Sequence, residues 1–530
     1  MKQLLVYLLL AITPAHAQDK QGSKQLLKNL KEHIEYLSGD KLEGRRAGSA
    51  GERKAAIYIK KHFNKAGLSS LTGINNFLQP FEINDGRRLT ANNSFFSGGR
   101  LQLNIDYFPL AYSGNGIIKI KDYSLFDTAD VGPLLKENSS NPHFDLTAAI
   151  RDRGLHSQEA GKKAIILFNT SGIADNLVFD AKDKTPSLSI PVVFVKNVKD
   201  LTPGMLNTLQ VDIESVKRTG HNVIGQINNN AKYTVVIGAH YDHLGYGEDH
   251  NSLYSGKEKQ IHNGADDNAS GTAALIELAC MIRKAGFKNY NYLFVAFSGE
   301  ELGLFGSKYF VENLAVESKD VNYMINMDMI GRLNDSTHGL AIGGFGTSPE
   351  WNFLLAKDEY LKIKYDSSGS GPSDHTSFYR KDIPVLFFFT GSHIDYHKPT
   401  DDAIKINYSG EARIVEYIFT AIQKADAKSK LAFLKTRETM AMGKSTFKVS
   451  LGIMPDYTFT GAGVRVDGVT DGRPAQKAGM KPGDIITELG AHKFYDVQTY
   501  MKALSQFGKG ESAKVKVIRG KDELVFDINF

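Results

Sequence analysis

Histidines and carboxylates gather in five short stretches between residues 238 and 402: GAHYDHLG, GADDNASG, SGEELGLFGS, NMDMIG and DYHKPTDD. With His393 just ahead of the last, they supply His240, Asp242, Asp266, Asp267, Glu300, Glu301, Asp328, Asp395, His397, Asp401 and Asp402. Imidazole and carboxylate donors without a thiolate suit catalytic zinc or a similar divalent ion. Two His and three carboxylates can hold two such ions if one carboxylate bridges. Two dications with His240, Asp267, Glu301, Asp328 and His397 leave a formal charge of +1, which one hydroxide neutralises. Such a site strongly lowers the pKa of its water. Glu300 is then left over as a general base. Asp242, close to His240, suits the outer layer that orients a metal-bound imidazole.

Each stretch follows an apolar run: TVVIGA, YLFVAF, YMINM or IPVLFFF, with the GADDN turn leading into a helix. Side chains at the carboxyl ends of successive strands are where open α/β folds bind ligands. Residues 220–425 alternate strand and helix patterns, which predicts a mostly parallel mixed sheet with helices on both faces. Residues 24–67 read as two helices, the second with Ala55, Ala56, Ile57, Ile59 and Phe63 as a buried stripe and Gly67 as its stop. LEGRRAGSAG between them reads as a flexible polar connector. From Arg88 to Val216 helical periodicity fades and strand-like pieces appear (IIKI, KAIILFN, IPVVFV), predicting a β-rich insertion. His143 and His156 there have no ligand spacing and read as surface residues. A helix is expected near Glu350–Tyr360. After a charged connector, Lys428–Lys444, a further unit of short strands carries a helix at VQTYMKALSQF and a closing hairpin.

At 530 residues the chain holds two to four domains. Its 42% hydrophobic and 23% charged content is that of an ordinary globular protein. A net charge of +5 without a long basic run gives nucleic-acid binding no electrostatic support. MKQLLVYLLLAITPAHAQ reads as a leader cleaved after Ala17, so the protein is expected to be exported to the periplasm or beyond. Its apolar run is too short to span a bilayer, and no other run is long enough, so no transmembrane span is expected. Cys280 is the only cysteine and reads as a buried apolar thiol, which leaves stability to packing and metal.

The five stretches, in order, resemble the motifs of the cocatalytic two-zinc aminopeptidases of metallopeptidase family twenty-eight, which also holds glutamate carboxypeptidases and glutaminyl cyclases. The resemblance covers roughly residues 24–85 and 220–425. It implies a zinc exopeptidase fold, two Zn2+ and peptide substrates cut at the N-terminus. It implies that His240 and Asp328 share one ion and His397 and Glu301 the other. Asp267 would bridge, with a cis peptide to Asn268, and Glu300 would be the base. Tyr396 matches a tyrosine that polarises the scissile carbonyl in some members. Those members carry an Arg before the SDH triplet, whereas Pro372 precedes Ser373-Asp374-His375 here.

Residues 88–216 resemble a protease-associated domain through GKKAIILFN and SIPVVFV. Residues 440–530 resemble a bacterial PDZ domain, with backbone N–H groups near Leu451–Ile453 placed to receive a peptide C-terminus. The expected order is leader 1–17, peptidase 18–87 and 217–428, insertion 88–216, and PDZ domain 440–530. Two rivals stay open. One is a carboxypeptidase or cyclase, the former needing a cationic pocket for which Arg332 is the nearest candidate. The other is a non-catalytic binding protein on the same scaffold.

Overall fold

Four apolar runs become the buried centre of a sheet: Thr234–His240, Asn291–Phe297, Val321–Met327 and Val385–Phe389. The computed structural model describes residues 13–530 except 121–124, 140–143, 145, 184, 203–206, 250, 255, 257, 315, 437–448, 456–458, 460, 470–471 and 496. The first part of the expected leader and His143 lie outside the described residues. The chain divides into two compact units, one running to Ile83 and resuming at Arg218–Lys444, the other Asn84–Lys217 with Ser445–Phe530.

The four runs pair in parallel, with Thr234–His240 between Asn291–Phe297 and Val321–Met327, and Val385–Phe389 beyond the latter. Antiparallel strands flank them: Ile213–Ile227 on one side and Gly339–Gly343 on the other. Among the described residues the sheet has nine strands. Strands covered on both faces are apolar at nearly every position, because alternate side chains enter different cores. Val235, Ile237 and Ala239 pack with the helices Thr13–Leu37, Ala50–Lys65, Gly271–Ala285 and Tyr408–Asp426. Val236, Val295 and Phe297 pack with Phe305–Glu312 and His375–Tyr379. This is the mostly parallel α/β architecture that the alternation predicts.

Several local expectations change. Ile57 is 56% exposed, while Ala55, Ala56, Ile59 and Phe63 are buried. At about 100° per residue, Ile57 turns away from the stripe that the other four share. The helix expected near Glu350–Tyr360 is only Trp351–Leu354. Asp358 Oδ1 accepts from Tyr360 N and Leu361 N, each at 2.9 Å, and holds a turn there instead. The connector Lys428–Lys444 is bound in its first part. Leu431 is buried and its N–H donates to Asn322 Oδ1, Leu434 N donates to Thr347 O, and Thr436 N donates to Tyr379 OH.

The LEGRRAGSAG segment is not a flexible connector. Asp40–Arg45 forms a tight helical turn, and Gly51 lies so close to it that a Cβ there would sit 1.8 Å from Leu42 O. Arg45 is fully buried. Its guanidinium donates to Tyr241 O at 2.7 Å, Asn263 O at 2.7 Å and Gly264 O at 2.9 Å, and also to Leu37 O. Burial draws its pKa down to about 10 against the pull of Asp267, Asp242, Asp401 and Glu301, so it is charged at neutral pH.

In the second unit, residues from the insertion build two four-stranded sheets, counted over the described residues. The insertion is less purely β than expected, because Leu146–Glu159 is a helix. Its buried stripe is Leu146, Ile150, Arg151, Gly154 and Ser157, and three non-aliphatic members hide the periodicity. His156 is exposed. Residues 449–530 form a separate sheet with the hairpin Ser512–Arg519/Asp522–Asn529 and the helix Val497–Leu504 around their own core. No described helix is long and apolar enough to cross a membrane.

Two stability predictions follow from these contacts. Arg45→Met strips four carbonyls, three of them in buried hydrogen bonds, of this donor and removes a cation from among carboxylates. It should cost about 3 kcal/mol or more, and an unchanged melting temperature would refute this role. A chain ending at Thr436 should melt higher than one ending at Lys428, since only the longer keeps Leu431 in its pocket. Equal melting temperatures would make that strap idle.

Candidate metal centre

His240 is the last residue of its strand, and Asp328 immediately follows Val321–Met327. Glu300 and Glu301 lie in the turn after Asn291–Phe297, where Gly303 N and Leu304 N both donate to Glu300 O. The GADDN turn begins at Gly264, whose φ of 57° is left-handed, and contains a cis Asp267–Asn268 peptide. Asp401 fastens this turn, because its Oδ2 accepts from Asp266 N at 2.9 Å and Asp267 N at 3.0 Å. Asn268 adds a second anchor, accepting from Gly271 N and donating to Met327 O, each at 2.9 Å. His397 also has a left-handed φ, of 55°, in a turn of the last motif.

These elements bring six predicted side chains together. His240 Nε2 lies 3.4 Å from Asp267 Oδ1, 3.3 Å from Asp328 Oδ1 and 3.9 Å from Glu300 Oε2. His397 Nε2 lies 3.4 Å from Asp267 Oδ2 and 3.1 Å from Glu301 Oε2. Asp267 therefore gives one oxygen to each group. Donors held about 2.0–2.2 Å from one tetrahedral ion stand about 3.3 Å apart, so both groups have the spacing a shared zinc requires.

The outer atoms of these side chains are also engaged. His240 Nδ1 is 3.2 Å from Asp242 O and 3.7 Å from Asp242 Oδ1, and His397 Nδ1 is 2.9 Å from Asn251 O. A ring N–H donated to those oxygens leaves each Nε2 bare and facing the centre. Ser373 Oγ donates to Asp328 Oδ2 at 2.8 Å and itself accepts from Asn326 Nδ2 at 2.8 Å. Asp242 Oδ1 accepts from Glu300 N at 3.2 Å, so one carboxylate touches both the His240 and the Glu300 segments.

The adjacent glutamates are driven apart electrostatically. Burial, reinforced by Asp328, Glu301 and Asp374, holds Glu300 well above the usual carboxyl range despite His240. Burial also opposes ionisation of Glu301, but His397 and hydrogen bonds from His243 and His397 outweigh it and hold its pKa at about 2. Glu300 is thus suited to carry a proton and Glu301 to remain an anion. Tyr396 stacks on the His397 ring, with centroids 3.9 Å apart.

Not every acid of the five stretches points inward. Asp266 turns to His393 Nε2 at 3.1 Å and to Gly331 N at 2.7 Å. Asp395 accepts from Lys405 Nζ at 2.6 Å and pairs with Arg332 at 3.3 Å. Conversely, His243 stands beside Glu301, with Nδ1 2.7 Å from Oε1. Its place in GAHYDHLG was the available signal. Ser373 was marked only as part of the Ser373-Asp374-His375 triplet, and Asn251 and Arg45 have no spacing signal.

The Peptidase family M28 model matches residues 222–422, and the PDZ domain model matches residues 439–530. Aminopeptidase YwaD of Bacillus subtilis is 28% identical over 457 residues, covering 79% of this chain and 90% of that protein. Leupeptin-inactivating enzyme 1 of Streptomyces exfoliatus is 33% identical over 219 residues, 40% of this chain and 44% of that protein. An aminopeptidase of Pseudomonas aeruginosa is 30% identical over 263 residues, 46% of each chain. The chain thus spans less than half the length of the latter two. Among solved structures, an aminopeptidase from Aneurinibacillus sp. strain AM-1 aligns over 79% of this chain and 97% of its own, with 22% identity and a TM-score of 0.43.

Removal of one glutamate or the other should separate ligand from base. In a zinc competition titration, Glu301→Gln should weaken one zinc-binding step, whereas Glu300→Gln should bind zinc as the parent does. Loss in the Glu300 variant with full affinity in the Glu301 variant would reverse the two roles.

Proposed function

We propose that this chain, which carries a family M28 peptidase domain and a PDZ domain, is an exported zinc-dependent aminopeptidase that releases N-terminal residues from peptides. The observation that carries the proposal is Asp267 presenting one oxygen to each of two His–carboxylate groups, with Glu300 beside them. Matches to proteins named as aminopeptidases support it.

In this reading His240 and Asp328 would hold one zinc and His397 and Glu301 the other, with Asp267 contributing one oxygen to each group. When bound, two zinc ions would polarise the scissile carbonyl and lower the pKa of the attacking water. Glu300 takes the proton from that water and delivers it to the leaving amine. Asp242 orients His240, and Tyr396, beside His397, polarises the carbonyl of the substrate.

Arg332 favours the aminopeptidase over the carboxypeptidase, because its guanidinium is already paired with Asp395. The leader ending at Ala17 is the basis for export. The insertion is read as a protease-associated domain, and the PDZ groove near Leu451–Ile453 as a receiver of peptide C-termini.

Activity should need a free N-terminus. A leucyl or alanyl peptide should be cleaved, and its N-acetyl form should not. Equal rates on the two would overturn the aminopeptidase reading. Glu300→Gln should lose roughly 100- to 10,000-fold in kcat, the range for a positioned general base, and a near-normal kcat would remove Glu300 from the mechanism.

A further inference from the structure

His243 is buried inside the centre yet has no place among the five proposed ligands. Its ring is fixed on several sides. Its backbone N–H donates to Arg45 O at 3.3 Å, and its segment pairs with Arg46 as an isolated bridge. The ring lies against the GADDN turn so closely that a Cβ on Gly264 would sit 2.5 Å from His243 Cδ2. Gly264 is therefore needed for close approach as well as for its left-handed φ.

Two roles are open to such a ring, ligand or holder of a ligand, and distances decide between them. Nδ1 is 2.7 Å from Glu301 Oε1 but 3.9 Å from Asp267 Oδ2. The first separation is that of a charge-assisted hydrogen bond and is too short for two donors on one tetrahedral ion. The second is too long. His397 Nε2, at 3.1 and 3.4 Å from the other oxygens of the same two carboxylates, has the even spacing of a co-ligand.

We infer that His243 is a positioning residue for the second zinc: its Nδ1–H holds Glu301 Oε1 and reserves Oε2 for the ion. An ionised carboxylate only accepts, so Nδ1 must donate. Glu301 then binds through one oxygen in a fixed orientation, and the ion shared with His397 becomes dependent on a residue that does not touch it. The ion shared by His240 and Asp328 has a separate support in Ser373 and should not respond.

This inference rests on the two-zinc reading, and metal titration of the intact protein separates the two. The full chain and its His243→Asn, His243→Gln and His243→Ala variants would be titrated with zinc against a chromogenic chelator, with apo-protein melting recorded beside each. Asn can place an amide N–H close to where Nδ1 stands, Gln places it near Nε2, and Ala places none. One of the two binding steps should be unchanged in all. The other should stay within a few-fold in His243→Asn and fall about 10- to 100-fold in His243→Gln and His243→Ala, the usual cost of losing an outer partner. Two unchanged steps in the Ala and Gln variants overturn the inference, as does equal loss in Asn and Gln, which would make His243 a direct ligand or a packing residue. Should the Ala variant not fold, Asn against Gln decides alone. An intact chain that binds fewer than two zinc ions would instead overturn the two-zinc reading itself.

Discussion

Carboxylates converging on one sheet edge with little water around them are the constraint on which this structure turns. Asp242, Asp266, Asp267 and Asp401 are buried, and Asp267, Glu300 and Asp328 each come within 3.9 Å of His240. Unpaired buried charge is expensive, and like charges raise one another's proton affinity. The surroundings answer with cations and donors placed one to each acid. Arg45 supplies fixed positive charge beneath the site, backbone N–H groups cover Asp401 and Asp266, and imidazoles face Asp267 and Glu301. Burial and the neighbouring Asp328, Glu301 and Asp374 raise the proton affinity of Glu300 despite His240.

The same principle explains how a turn as irregular as GADDN is held. A cis peptide and a left-handed Gly264 do not sit in any regular element. The turn is instead clamped by Asp401 from the last motif, by Asn268 onto the Asp328 strand and by Arg45 from the N-terminal segment. Each clamp joins segments far apart in the chain, so the metal groups cannot assemble until the sheet and its covering helices are in place. Four parallel strands give the rigid edge that makes those distances reproducible.

The two groups differ in how their ligands are steadied. Asp328 is steadied by a hydroxyl, Ser373, and through it by Asn326. Glu301 is steadied by an imidazole, His243, and by His397 across the site. Neutral and basic donors exert different pulls on a carboxylate, so the halves of a nearly symmetric centre are chemically unequal.

The strand–helix alternation, the carboxyl-edge placement of His240, Asp267, Glu301, Asp328 and His397, and the domain at the C-terminus were legible in the chain alone. They rest on local pattern: apolar runs set strands, short motifs follow each strand, and a strand's end fixes which edge its polar residues occupy. The insertion's helix was missed because its stripe carries Arg151, Gly154 and Ser157. The connectors at LEGRR and beyond Lys428 were misread because polarity alone does not reveal a buried guanidinium or a strap seated by Leu431. Which acids converge on His240 and His397, which turn toward His393 or Arg332, and which carboxylate His243 contacts were decided only in three dimensions. Local sequence specifies the donor types at a site, but hydrogen-bond and ligand roles depend on tenths of an ångström between segments hundreds of residues apart, and those distances are set by packing of the whole sheet.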